Sequence, residues 1–284
     1  MPRRRPVGAV TSPRWRDGPL TTKERAWTGG SGWWVLAAAA VLALAVPALA
    51  AAEPYGALFT GAAFTENTDL QEKLELGALT AADGTIKGLH VSTAAVYGGK
   101  LGYFFEPRVL EGNFGLELEA YHFSADVDAQ TARFSGTIGG APFNGDLRVV
   151  SSDIEVTAVA LNALYRYPLG MNEAFPRGRF QPYVGAGLGA FIGRLSTTTT
   201  PLDVNKDIHD TDTRLGGQFL GGVRVFLTRN IGVFAEYKFV KTQTFEFNFK
   251  VPGTVFGGVP ITETARDRTE LTGHHLTAGI SFHW

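Results

Sequence analysis

The sequence predicts an all-β protein: an eight-stranded antiparallel up-and-down barrel that crosses a membrane, preceded by a signal peptide. Three observations predict it. Apolar and polar residues alternate along stretch after stretch, the period of two expected of a strand with one apolar face. The connections between these stretches alternate long and short, as in membrane barrels with loops at one end and tight turns at the other. The last stretch places Leu276, Ala278, Ile280, Phe282 and Trp284 on one face, and His275, Thr277, Gly279, Ser281 and His283 on the other. Its apolar face runs to a large aromatic, the residue type that anchors a membrane interface.

Composition narrows the field. Cysteine is absent from the 284 residues, so neither a disulfide framework nor thiol chemistry is expected. The 35 glycines and 12% aromatics, with no long helical pattern, favour an all-β chain. The net charge of -1 hides an asymmetry. Residues 1–50 carry seven of the 26 basic and two of the 27 acidic residues. The remainder therefore holds 19 basic against 25 acidic residues, a net of -6. That mildly acidic balance points to no nucleic-acid partner.

The first element is an address. Residues 33–46, Trp-Trp-Val-Leu-Ala-Ala-Ala-Ala-Val-Leu-Ala-Leu-Ala-Val, have the composition of a signal-peptide core. Arg14, Arg16, Lys23 and Arg25 precede it, Pro47 breaks it, and Ala48-Leu49-Ala50 supplies a small-x-small cleavage site. Cleavage is expected after Ala50, with Ala52 as the alternative. Residues 1–50 then form a signal peptide with a long n-region, and residues 53–284 the barrel domain. The competing reading is an uncleaved helix, because the apolar run approaches the roughly 20 residues needed for a span. The Pro47 break favours cleavage.

Eight alternating stretches follow: Tyr55–Thr65, Thr93–Phe105, Phe114–Ser124, Asp153–Tyr167, Arg179–Arg194, Arg214–Leu227, Ile231–Lys241 and His274–Trp284. Most match or exceed the 9–11 residues or so of a tilted membrane strand. Long connections span Glu66–Ser92, Ala125–Ser152, Leu195–Thr213 and Thr242–Gly273. Within them Thr131–Ile138, Asp146–Val150 and Phe245–Phe249 are expected to prolong the neighbouring strands. Alternation alone does not separate a soluble sandwich from a membrane barrel, in which the apolar face turns outward. The export signal, the loop asymmetry and the aromatic end favour the barrel, whose closure also removes edges that hydrocarbon does not tolerate. Tyr55–Thr65 is the least clear, with apolar residues on both faces.

The run Pro182-Tyr183-Val184-Gly185-Ala186-Gly187-Leu188-Gly189, then Gly221-Gly222-Val223-Arg224, Glu236-Tyr237-Lys238-Phe239 and the closing Gly279-Ile280-Ser281-Phe282-His283-Trp284 carry a resemblance. In this order they resemble the OmpA/OmpW-type small outer-membrane β-barrel family. The resemblance covers about residues 53–284 and implies a porin-like protein of the bacterial outer membrane. It also implies that Ile280, Phe282 and Trp284 form the signal read by the outer-membrane assembly machinery, with Trp284 in place of the usual phenylalanine.

Strand parity turns Lys100, Glu117, Glu119, Arg166, Arg224, Glu236 and Lys238 inward. An eight-stranded barrel is just wide enough for side chains to fill it, so these charges are expected to pair as a plug. A selective pore lining is the alternative. Gly185, Gly187 and Gly189 share the inward parity and are expected to make room for long neighbouring side chains or to ease coiling.

Other constellations carry less. His122-Phe123-Ser124 resembles the His-x-Ser of lipid A deacylases of the PagL kind, but Ala125 stands where an asparagine is expected. Asp203, Asp207, His209, Asp210 and Asp212 offer oxygen ligands without calcium-loop spacing, beside the low-complexity Thr197–Thr200. Adjacent His274 and His275 point to opposite faces and form no joint site. The expectation is a non-enzymatic surface or structural protein, without cofactor or metal, amid outer-membrane lipids and lipopolysaccharide, whose four long loops meet an unidentified partner. The alternatives are a small-solute channel of the OmpW kind and the lipid A acyl hydrolase.

Overall fold

The computed structural model describes residues 52–77, 79–149, 151–197, 208–255 and 259–284. The signal segment with Ala48 and Ala50, and the loop residues Asp203 and Asp207, lie outside these.

Eight strands close into an antiparallel barrel: β1 (Ala52–Thr65), β4 (Ala94–Val109), β5 (Gly112–Ser124), β8 (Ser152–Arg166), β9 (Phe180–Thr197), β10 (Ile208–Phe226), β11 (Ile231–Thr242) and β14 (Thr272–His283). The order around the barrel is β1-β14-β11-β10-β9-β8-β5-β4, and β1 pairs with both β14 and β4, so no edge is left. Each alternating stretch of the sequence corresponds to one of these strands. The apolar faces point outward, with Leu58, Leu188, Phe219, Ile280 and Trp284 all more than half exposed. A water-soluble protein rarely exposes so large an apolar surface; hydrocarbon requires it.

The long connections are not simple strand extensions. Three of them fold into hairpins: β2–β3 (Thr68–Leu76 and Leu79–Leu89), β6–β7 (Gln130–Ile138 and Ala141–Val149) and β12–β13 (Phe245–Val255 and Val259–Thr269). The hairpins pair side by side in a second, six-stranded sheet, β12-β13-β2-β3-β6-β7. Thr131–Ile138, Asp146–Val149 and Phe245–Phe249 therefore belong to separate strands, because their backbones pair within the β6–β7 and β12–β13 hairpins and, for β6, also with β3. The β6–β7 hairpin is tight, with Gly139 and Gly140 both at positive φ (58° and 81°), as a two-residue type I′ turn demands. The short turn between β4 and β5 has the same handedness at Leu110 and Glu111, without glycine (φ 52° and 65°).

β8, β9 and β10 prolong the barrel wall, their pairing reaching Ser152, Thr197 and Ile208. Here Asp210 and Asp212 have a structural task. Asp212 Oδ2 accepts the backbone N–H of Glu246 at 2.8 Å, and Asp210 Oδ2 accepts that of Asn248 at 2.7 Å. Two carboxylates thus occupy alternate donors along the free side of β12, blunting an edge that would otherwise invite pairing.

The second sheet continues the interior of the barrel. One apolar cluster joins Phe59, Phe123, Phe191 and Phe234 from the barrel to Phe134, Phe245, Phe247 and Phe249 from the hairpins. Burying each phenylalanine stabilises by about 1.5–3 kcal/mol. Opposite each other on the inward face of this sheet stand two acids, Asp267 on β13 and Glu72 on β2, with Phe247 on the other side of Asp267. Ala265 and Thr269 flank Asp267 on that face, while Arg266 and Arg268 alternate to the outward one.

Burial, aided by the Glu72 charge, pushes the Asp267 carboxyl up to about 7 from 3.8. A carboxyl whose folded-state value is raised favours the paired sheet while protonated; that contribution is lost as pH rises from about 4 to about 7. Amide exchange in β13 and β2 is therefore expected to be slower at pH 5.5 than at pH 8.5, after correction for intrinsic rates. Asp267→Asn should remove the difference. Equal protection of the unaltered protein at both pH values would sink this expectation.

Candidate functional site

All seven charges assigned to the lumen by parity are buried inside the barrel, each at most 5% exposed. Five of them form one network. Lys100 Nζ lies 2.6 Å from Glu236 Oε2, 3.4 Å from Glu117 Oε1 and 3.5 Å from Glu119 Oε1. Lys238 bonds Glu119 and stands 3.8 Å from Glu236. These residues come from β4, β5 and β11: Lys100–Glu236 and Lys238–Glu119 cross the lumen, while the other contacts link the adjacent strands β4 and β5 or neighbours along β11.

Neutral groups fill the remaining valences. Tyr55 donates to Glu117 at 2.5 Å and Tyr183 to Glu236 at 2.9 Å. Asn162 donates to Glu117 at 3.0 Å and to Glu119 at 3.3 Å, and Gln218 donates to Glu119 at 2.8 Å. Buried charge is tolerated only when paired and bonded in this manner. The inward glycines do not make room for long Arg or Lys side chains. The space beside Gly187 is taken by Asn162 Oδ1, that beside Gly185 by Leu164 and Leu220, and that beside Gly189 by Ala160. They admit these uncharged side chains.

Arg166 and Arg224 lie outside the five-residue network, toward the short-turn end. Arg166 pairs with Glu53, which also meets His283 Nδ1 at 2.5 Å. Arg224 has no carboxylate among the described residues; its guanidinium sits 4.5 Å from the Tyr55 ring centroid and 5.6 Å from that of Tyr183, in cation–π geometry. Glu53 and His283 complete this lower cluster. Parity placed His283 in the lumen, but Glu53 precedes the first recognisable alternation and carried no signal.

Above the charges the lumen turns apolar. The Phe59 centroid lies 5.3 Å from Lys100 Nζ and 5.2 Å from Lys238 Nζ, marking the boundary. His275 sits just beyond it, fully buried, edge-on to Phe123 at 4.7 Å, and neither ring nitrogen has a hydrogen-bond partner among the described residues. Its neighbour His274 faces outward and bonds Tyr237 at 2.7 Å and Glu66 at 2.9 Å.

On the outer wall, His122 Nδ1 meets Thr157 Oγ1 at 3.0 Å. No hydrogen bond joins it to Ser124 among the described residues, and the residue paired with Ser124 is Glu155. At the chain end Ile280, Phe282 and Trp284 all project outward, and the Phe282 and Trp284 rings stack at 5.9 Å.

Residues 36–283 match the model of a family described as the outer membrane protein beta-barrel domain. No curated protein sequence matches the chain. Among solved structures, Neisserial surface protein A is similar at 14% identity, with 81% of this chain and 96% of that one covered and a TM-score of 0.36. OprG of Pseudomonas aeruginosa shares 14% identity over 78% of this chain and 95% of its own, with a TM-score of 0.35. The outer membrane protease OmpT of Escherichia coli shares 8% over 82% and 97%, with a TM-score of 0.41.

Proposed function

The chain belongs to the outer membrane protein β-barrel domain family, and from that premise we propose that it is a non-enzymatic surface protein of the bacterial outer membrane. In this reading the barrel is a filled anchor, and the sheet built by its long loops is the working surface, offered to a partner outside the cell. The observation that carries it is the lumen itself: a satisfied ion network below and a continuous aromatic core above, which commit the interior to holding the second sheet. The engagement of His122 with Thr157 rather than Ser124 favours the non-enzymatic reading over an acyl hydrolase. Lipids and lipopolysaccharide surround the outward apolar face. Ile280, Phe282 and Trp284 serve the assembly machinery during insertion, and the signal peptide delivers the chain across the inner membrane.

The absence of cysteine makes a clean test possible. A membrane-impermeant maleimide applied to intact cells is expected to label Arg266→Cys on the second sheet and to spare Leu110→Cys in the short turn. Lipid A from the same cells should keep its acyl pattern. The reverse labelling would overturn the orientation. A missing acyl chain restored by Ser124→Ala would overturn the non-enzymatic reading.

A further inference from the structure

The short-turn end of the barrel holds a cavity of about 210 Å³ lined by Glu53, Glu106, Arg108, Asn113, Arg166 and Arg177, with Pro176 at its margin. At roughly 30 Å³ per water, it has room for a small polyatomic ion with part of its hydration shell. Three elements deliver the arginines. Arg166 ends β8, and Arg177 lies in the turn that follows. Arg108 reaches the mouth because the β4–β5 register slips by two residues between Phe104 and Arg108, which preserves inward parity.

These guanidinium groups are incompletely paired. Arg166 is 5% exposed, bonds Glu53 and Gln181, and keeps its Nε buried with no partner among the described residues. Arg177 approaches Glu53 no closer than 3.8 Å, and that carboxylate is already shared with Arg166 and His283. Arg108 donates to the thioether of Met171, a weak acceptor. The other lining acid, Glu106, is exposed at the rim and forms no ion pair among the described residues. Behind the cavity Arg224 adds a further buried positive charge without a carboxylate. Partly desolvated arginines with free donors suit a planar or tetrahedral oxyanion, to which their forked geometry can present two bonds at once.

We propose that this mouth is a binding site for a small oxyanion, a phosphate or carboxylate group carried by a periplasmic molecule. The periplasmic source rests on the orientation proposed above; binding itself does not, and is tested on protein free in detergent.

Calorimetric titration of the refolded full chain with sodium phosphate, sodium acetate and sodium chloride at matched ionic strength decides it. Saturable binding is expected for phosphate, acetate or both, and none for chloride. Saturation by one alone assigns the ligand group. Arg108→Ala combined with Arg177→Ala should weaken binding at least tenfold, while Lys73→Ala with Arg266→Ala on the second sheet should leave it within twofold. The doubly altered mouth uses its two more exposed arginines and so keeps the fold testable, which heat-modifiable gel migration verifies. Non-saturable responses to both oxyanions, or equal affinity in the doubly altered mouth, would overturn the proposal.

Discussion

Lys238→Met is expected to lower the unfolding free energy of the refolded barrel by about 3–5 kcal/mol, the usual cost of stripping one partner from a buried ion pair. Lys238 is fully buried, bonds Glu119, and rests 4.2 Å from the Tyr121 ring centroid. Removing its ammonium leaves three carboxylates, Glu117, Glu119 and Glu236, facing Lys100 alone. Urea unfolding followed by tryptophan fluorescence measures the loss. Adding Glu119→Gln should recover more than half of it, because the orphaned charge disappears with its partner. Gln218 and Asn162 then still have a carbonyl oxygen to donate to. A loss under about 1 kcal/mol for Lys238→Met alone would mean that water reaches this layer and that the network is not a dry plug.

The sequence made this layer legible because it lies where alternation is strictest. Glu117 and Glu119 alternate with Leu116 and Leu118, and Glu236 and Lys238 with Ala235 and Tyr237, so membrane and lumen sort the side chains by polarity. Tyr55–Thr65 was ambiguous for a physical reason. Its inward residues Ala57 and Phe59 belong to the apolar half of the lumen, so both faces of β1 are hydrophobic. The second sheet was hidden for another. Its strands were visible as short alternating runs, but pairing between β13 and β2, or β3 and β6, joins loops far apart in the chain, and no local pattern records it. Arg166 was legible by parity, but Glu53 precedes the first alternation, Arg108 was obscured by the register slip in β4, and Arg177 by a turn without periodicity.

Planar bilayers containing the refolded protein are expected to show no discrete conductance steps at moderate salt. Two barriers stand in series. The lower is the ion network, where a permeating ion must break contacts such as Lys100 with Glu236 at 2.6 Å. At about 3–5 kcal/mol, one such disruption slows passage by roughly 10²–10⁴-fold. The upper is the aromatic core shared with the second sheet, including Phe59, Phe123 and Phe191, a zone that ions and water avoid. Opening one barrier leaves the other. Lys100→Ala with Lys238→Ala should therefore stay silent wherever it folds, and so should Phe123→Ala with Phe191→Ala. Only a combination of both sets is expected to pass ions. Discrete steps from the unaltered protein would require the network and the core to part together, and would return the barrel to the channel reading.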